Sequence, residues 1–250
     1  MRRWVALAAA VLIVPATPAA AAPRHEQGVR VSETSRYVLG GKPSTTRIEG
    51  RLRLASSGPV AVGYTWRDGA KPYRVIRVGK NVYVHAAQIP GPVPEGKKWV
   101  RFPGKHRGSM GRDMDRDASL QPIDVYDRAT MKALLKRSTR SPVTGGFLHR
   151  GTITYRDLSR ISKTTVIGWT SGRPISGKGK VSWRLWTGRD GRPRRLLTTD
   201  TVGTLVKRTD TRYTWGSRPV ITAPPAGEVI DEDGLRAYER EQNRGLPQDG

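Results

Sequence analysis

Between Arg47 and Leu54 the side chains alternate, with Arg47, Glu49, Arg51 and Arg53 on one side and Ile48, Gly50, Leu52 and Leu54 on the other. That is the period of a strand with one face in solvent and one face covered. Val60, Val62, Tyr64 and Trp66 repeat the pattern, Asp68-Gly69 supplies a tight hairpin turn, and Tyr73 to Val78 returns. A second turn at Gly79-Lys80-Asn81 leads into a short strand from Val82 to His85, and after a loop rich in proline and glycine (Pro90 to Gly96) another follows at Lys97 to Phe102. The pattern predicts consecutive antiparallel strands whose apolar face needs a cover.

Further along, Pro122 to Thr139 carries the best helix: Asp127 can cap it, Met131, Leu134 and Leu135 share one stripe, and Lys132, Lys136, Arg137 and Arg140 lie toward the carboxyl end, where the helix dipole favours cations. Strands resume at Phe147 to Tyr155, Val166 to Thr170 and Val181 to Trp186, with a turn or helix stub at Asp157-Leu158. Arg189 to Arg192 turns a hairpin whose return arm is Pro193 to Thr199, and Val202 to Lys207 and Thr211 to Ile221 finish the sheet. Val29 to Leu39 reads either as an edge strand or as a short helix. Pro103 to Ser119, polar and of mixed charge, reads as a mobile loop or lid. The fold class is α+β: a curved antiparallel sheet with one packed helix. A domain at 22–230 lies between a leader at 1–21 and a flexible acidic tail at 231–250, itself a frayed helix or disordered end.

Composition narrows the function classes. Met1-Arg2-Arg3, the apolar run Trp4 to Val14 and the small residues Ala19 to Ala22 form a secretory signal peptide, with cleavage expected after Ala21. The chain has no cysteine, which excludes disulfides, thiolate metal sites, a cysteine nucleophile and a lipid-modified cysteine anchor. The location expected is secreted, in the extracytoplasmic cell envelope, without a lipid anchor. The formal charge of +24 would there meet anionic headgroups or wall polymers rather than nucleic acid.

Catalysis finds little support. His25, His85, His106 and His149 have no metal-ligand spacing, and no G-x-S-x-G elbow occurs. Asp113, Asp115 and Asp117 imitate part of a calcium loop, but the required Gly and Glu do not follow. No enzyme, cofactor or metal is expected.

Several segments together resemble the LolA-like superfamily, in particular the LppX/LprG-type envelope lipid carriers of actinobacteria. They are Val78 to Val84 leading to Lys97-Lys98-Trp99-Val100, the helix at Asp127 to Ser138 followed by His149 to Tyr155, then Trp186 to Arg195 and Thr222 to Val229. The resemblance covers about residues 30 to 230. It implies a curved antiparallel half-barrel with helices on its concave side, a hydrophobic cavity between the two, and a carrier or sensor of acylated molecules rather than a catalyst. The chain departs from the pattern in lacking the lipobox cysteine and in its basic, glycine-rich connection between Tyr155 and Trp183.

Two sets of candidate residues follow. A half-barrel exposes more apolar surface than one helix of about three turns can fill, which leaves room for acyl chains lined by Leu52, Val62, Tyr64, Val75, Met131, Leu134, Leu135, Ile153 and Trp183. The alternative for these nine is plain core with no cavity. Lys97, Lys98, Lys105, Arg107, Arg173, Lys178, Lys180, Arg192, Arg194 and Arg195 form a candidate footprint for an anionic polymer or membrane surface. The expectation is a monomeric, non-enzymatic carrier or sensor of a hydrophobic or acylated envelope molecule. The competing reading is a wall-associated protein that binds anionic polymers or a membrane-protein partner and has no cavity.

Overall fold

A computed structural model describes residues 27–39, 41–56, 58–68, 71–103, 119–162, 179–217 and 219–244. Two runs of chain-consecutive hairpins build its sheet. The first run is β1 (Gln27–Leu39), β2 (Lys42–Ala55), β3 (Gly58–Arg67), β4 (Tyr73–Val78), β5 (Asn81–His85) and β6 (Trp99–Phe102). The second is β7 (Thr139–Val143), β8 (Gly146–Thr154), β9 (Lys180–Gly188), β10 (Pro193–Val202) and β11 (Leu205–Ser217). Antiparallel pairing of β1 with β11, from Gly28 opposite Ser217 to Tyr37 opposite Lys207, joins the two runs. With β12 (Val229–Asp231) added parallel to β6, the described residues form one large, curved, open, antiparallel-dominated sheet of 12 strands in the order β12-β6-β5-β4-β3-β2-β1-β11-β10-β9-β8-β7.

Among the described residues three α-helices accompany it: α1 (Arg128–Lys136), α2 (Tyr155–Ile161) and α3 (Glu232–Arg244). None is long and apolar enough to cross a membrane. Asp127 caps α1 as its position predicts, accepting from the Ala129 amide at 3.1 Å and the Thr130 hydroxyl at 2.6 Å. Gly191, at φ 74°, lets the predicted β9–β10 hairpin turn at Asp190-Gly191.

The structure corrects one expectation and narrows two. Val29 to Leu39 is neither an edge strand nor a helix but a central strand, because both of its edges are taken by β2 and β11. The Asp157-Leu158 stub is the seven-residue helix α2, capped by Thr154. The acidic segment from Asp231 onward, expected as a frayed helix or disordered end, supplies the end of β12 and, of those two alternatives, a helix, the 13-residue α3, which buries Leu235 against the sheet. The expected leader, the strand at 166–170, residues 104–118 of the expected lid and most of the basic stretch from Ser171 lie outside the described residues.

Candidate functional site

Strand register sorts every side chain onto one of two faces. On the face that the helices cover, Leu52 stands opposite Val62, Tyr64 opposite Val75, Val75 opposite Val84 and Val84 opposite Val100. Ile153 stands opposite Val181, and Gly151 opposite Trp183. Six of the nine candidate lining residues, Leu52, Val62, Tyr64, Val75, Ile153 and Trp183, therefore lie on the covered face of the sheet, while Met131, Leu134 and Leu135 lie on α1. Leu52, Val62, Leu134, Ile153 and Trp183 belong to one buried cluster with Tyr64, Met131 and Leu135 packed against it, and Val75 belongs to a second cluster.

Each cluster has its own cover. The first lies under α1, α2 and the segment that carries Leu120 and Ile123, and the second lies under Leu235 of α3. Tyr64 packs against both. Beside it Trp66 of the first cluster meets Tyr73 of the second edge to face, ring centroids 6.4 Å apart. These three aromatics mark the seam between the covers. All three are half-buried. Neither Trp66 Nε1 nor the Tyr73 hydroxyl, both buried atoms, has a hydrogen-bond partner among the described residues. A buried donor left unsatisfied costs about 1–3 kcal/mol, so such atoms call for an explanation. Burial also pushes the Tyr73 hydroxyl above its ordinary pKa, which keeps it a neutral donor. At the far end of the layer the Trp183 ring lies over Gly151, where a Cβ would come within 2.7 Å of the ring, so glycine is needed for this close approach.

Sequence reasoning missed the centre of this face, which is polar. Glu33, only 2% exposed, accepts from Ser119 Oγ and the Leu120 amide at 2.5 Å and from Thr211 Oγ1 at 2.7 Å. Gln121 accepts from Thr198 Oγ1 at 2.8 Å and donates to Thr211 Oγ1 at 2.7 Å and to the Leu196 carbonyl at 3.1 Å. Lys207 Nζ donates to the Leu120 carbonyl at 2.8 Å and forms an ion pair with Asp200 at 2.9 Å, with both side chains almost wholly buried. Burial raises the carboxyl pKa values of Glu33 and Asp200, and the nearby Lys207 charge opposes both shifts. This network pins residues 119–121 to the sheet. No spacing within the sequence signals it, because its members come from four segments: β1, residues 119–121, β10 and β11.

The other face is open and rich in arginine. Of the ten candidate cations, Lys105, Arg107, Arg173 and Lys178 lie outside the described residues. The remaining six do not form one footprint. Lys98 pairs with Glu228 at 2.6 Å, and Lys97 donates to the Gly227 carbonyl at 2.9 Å. Arg194 reaches Asp190 at 3.1 Å, Arg192 lies 3.7 Å from the same carboxylate, and Arg195 grips Asp210 through two bonds of 2.8 and 2.7 Å. Lys180 sits at the start of β9. Sheet order puts six strands between Lys97-Lys98, next to β6, and Arg194-Arg195 on β10. Among the six described cations, five stand beside a carboxylate or carbonyl.

Two clefts open on this face. One, of about 530 Å³, lies where Ile221 crosses strands β2 to β4 and is lined by Arg30, Glu49, Arg51, Arg74 and Trp99. The other, of about 360 Å³, is lined by Arg150, Thr152, Ser182, Arg184, Thr199 and Arg208.

No protein-family model matches the chain, and a search of curated proteins finds no match. Among solved structures, the chain is similar to the MucA/MucB complex of Pseudomonas aeruginosa at 17% identity and a TM-score of 0.32, over 77% of this chain and 53% of that one. The chain thus spans about half the length of that relative. It is also similar to a LolA superfamily protein from Nitrosomonas europaea at 9% identity and a TM-score of 0.29, over 79% of this chain and 88% of that one. A DUF1329 family protein from Desulfovibrio piger matches at 12% identity and a TM-score of 0.27, over 84% and 92% of the two chains.

Proposed function

We propose that this chain is a secreted, non-enzymatic carrier or sensor that takes a hydrophobic or acylated envelope molecule between the covered face of its sheet and its helices, as an LppX/LprG-type half-barrel would. The observation that carries the reading is the seam. Two separately covered apolar clusters meet at Tyr64, Trp66 and Tyr73, and two buried donors there, Trp66 Nε1 and the Tyr73 hydroxyl, have no acceptor among the described residues. An acyl chain spreading the covers would bury its methylenes at roughly 25 cal/mol per Å², and its ester or carboxyl oxygens would accept from those donors. The expected leader and the absence of cysteine support an extracytoplasmic protein without a lipid-modified cysteine.

The test is displacement of a fluorescent fatty acid from the purified mature chain. Trp66→Arg places a charge at the seam and is expected to abolish binding, whereas Arg67→Gln, one residue away and exposed, leaves it intact. Equal binding by both variants, at unchanged melting temperature, would remove the seam as the entry site.

A further inference from the structure

The cleft on the open face formed by β8 to β11 has a feature that sheet stability does not explain. Arg150 and Arg184 stand directly opposite one another on neighbouring strands. Like charges in that position repel and weaken a strand pair. The next residues of the same face form a row, Thr152 opposite Ser182, Ser182 opposite Thr199 and Thr199 opposite Arg208. Three guanidinium groups therefore surround a row of hydroxyls. Leu197, opposite Arg184, completes the lining.

None of Arg150, Arg184 and Arg208 pairs with a carboxylate among the described residues. The acid nearest in register, Asp210 opposite Leu197, is held at both oxygens by Arg195. This contrasts with the larger cleft, where Glu49 offsets the arginines. It contrasts also with Lys97, Lys98, Arg192, Arg194 and Arg195, each of which stands beside an acceptor of its own. Only strand register brings these three arginines together, from positions 34 and 24 residues apart in the chain.

We propose that this cleft binds a phosphate group. Guanidinium groups offer paired N–H donors that match two oxygens of a tetrahedral oxyanion, and the threonine and serine hydroxyls can donate to the remaining oxygens. Binding relieves the Arg150–Arg184 repulsion, so the ligand supplies the charge that the fold leaves out. The phosphate can come from a small ester or from a lipid headgroup, and the chemistry of recognition is the same. The site is independent of the seam on the covered face and stands or falls without it.

The experiment titrates the mature chain with inorganic phosphate and with glycerol 3-phosphate, following backbone amide shifts by NMR, and in parallel measures co-flotation with phosphatidylglycerol and phosphatidylcholine vesicles. Saturable shifts centred on residues 150, 152, 182, 184 and 208 identify a small ester as sufficient. Absence of those shifts together with flotation on phosphatidylglycerol vesicles alone identifies a headgroup as the source. In either case Arg150→Gln and Arg184→Gln each weaken binding at least about tenfold, while Arg67→Gln on the same face does not. The variants remove exposed side chains and should melt with the wild type, which separates lost binding from lost folding. Three results overturn the proposal: no binding in either arm, shifts spread evenly over the arginines of the face and reproduced by sodium chloride at equal ionic strength, or binding that Arg184→Gln leaves unchanged.

Discussion

Strands β4 to β6 and strands β1, β10 and β11 turn alternate side chains toward the same covered face of one sheet, yet they fill it with opposite chemistry. Over β4 to β6 the covered positions are Val75, Val82, Val84, Val100 and Phe102, closed by Leu235. Over the middle of the sheet they are Glu33, Ser35, Thr198, Asp200, Lys207, Thr209 and Thr211, all at most 3% exposed. The first region is held by area removed from water, which tolerates a change of shape; the second is held by hydrogen bonds and one ion pair, each of which needs its partner. The comparison teaches where the interior can give way. The cover α3 packs through Leu235, while residues 119–121 are fastened by directional bonds.

Breaking the polar region should have the largest effect. Lys207→Met leaves Asp200 buried without its cation, and a loss of about 3–5 kcal/mol is expected in denaturant unfolding. Adding Asp200→Leu to the same chain should recover much of that loss, a non-additivity that a pair of independent sites would not show. In the dry region Leu235→Ala should cost about 2–5 kcal/mol or less if α3 simply undocks. Hydrogen exchange distinguishes the two outcomes: amides of 232–244 lose protection while those of α1 keep theirs. A Gln121→Ala change strips Thr198 and Thr211 of a shared partner and should cost about 1–3 kcal/mol, read from the shift in denaturant midpoint.

The smallest effect separates the regions by pH. Glu33 and Asp200 have folded-state pKa values raised by burial, so the folded chain holds protons that the unfolded chain has released. Their contribution to stability is therefore greatest below the ordinary carboxylate range and declines as pH rises through the unfolded pKa values, near 4, to the raised folded ones. Glu33→Gln and Asp200→Asn should each flatten that decline in thermal melts across acid pH, and Val84→Ala in the dry region should not.

Local rules carried the reading of the chain where structure is local. The alternation of Arg47 to Leu54, the Asp127 cap and the Asp190-Gly191 turn lie where residue types alone place them. Long-range pairing was out of reach: Val29 to Leu39 finds its second neighbour in β11, some 180 residues away, and only that pairing makes it central. The polar half of the covered face was illegible for a related reason. Thr198, Asp200, Lys207 and Thr209 look like solvent-facing positions until residues 119–121 descend on them with matching donors and acceptors. The six strand candidates were legible as one sheet face and the three on α1 as one helical stripe, since period-2 and helical periodicities reveal faces. The seam at Tyr64, Trp66 and Tyr73 was not, because a boundary between covers depends on where α3 docks.

Native mass spectrometry with lipid extraction tests most directly whether an apolar ligand is held under the covers. The mature chain, expressed from Ala22 in a cell that makes acylated lipids, should carry a lipid of defined mass, lost in Trp66→Arg while the fold persists. A chain that emerges bare, and remains bare after incubation with acylated lipid extracts, would contradict the account.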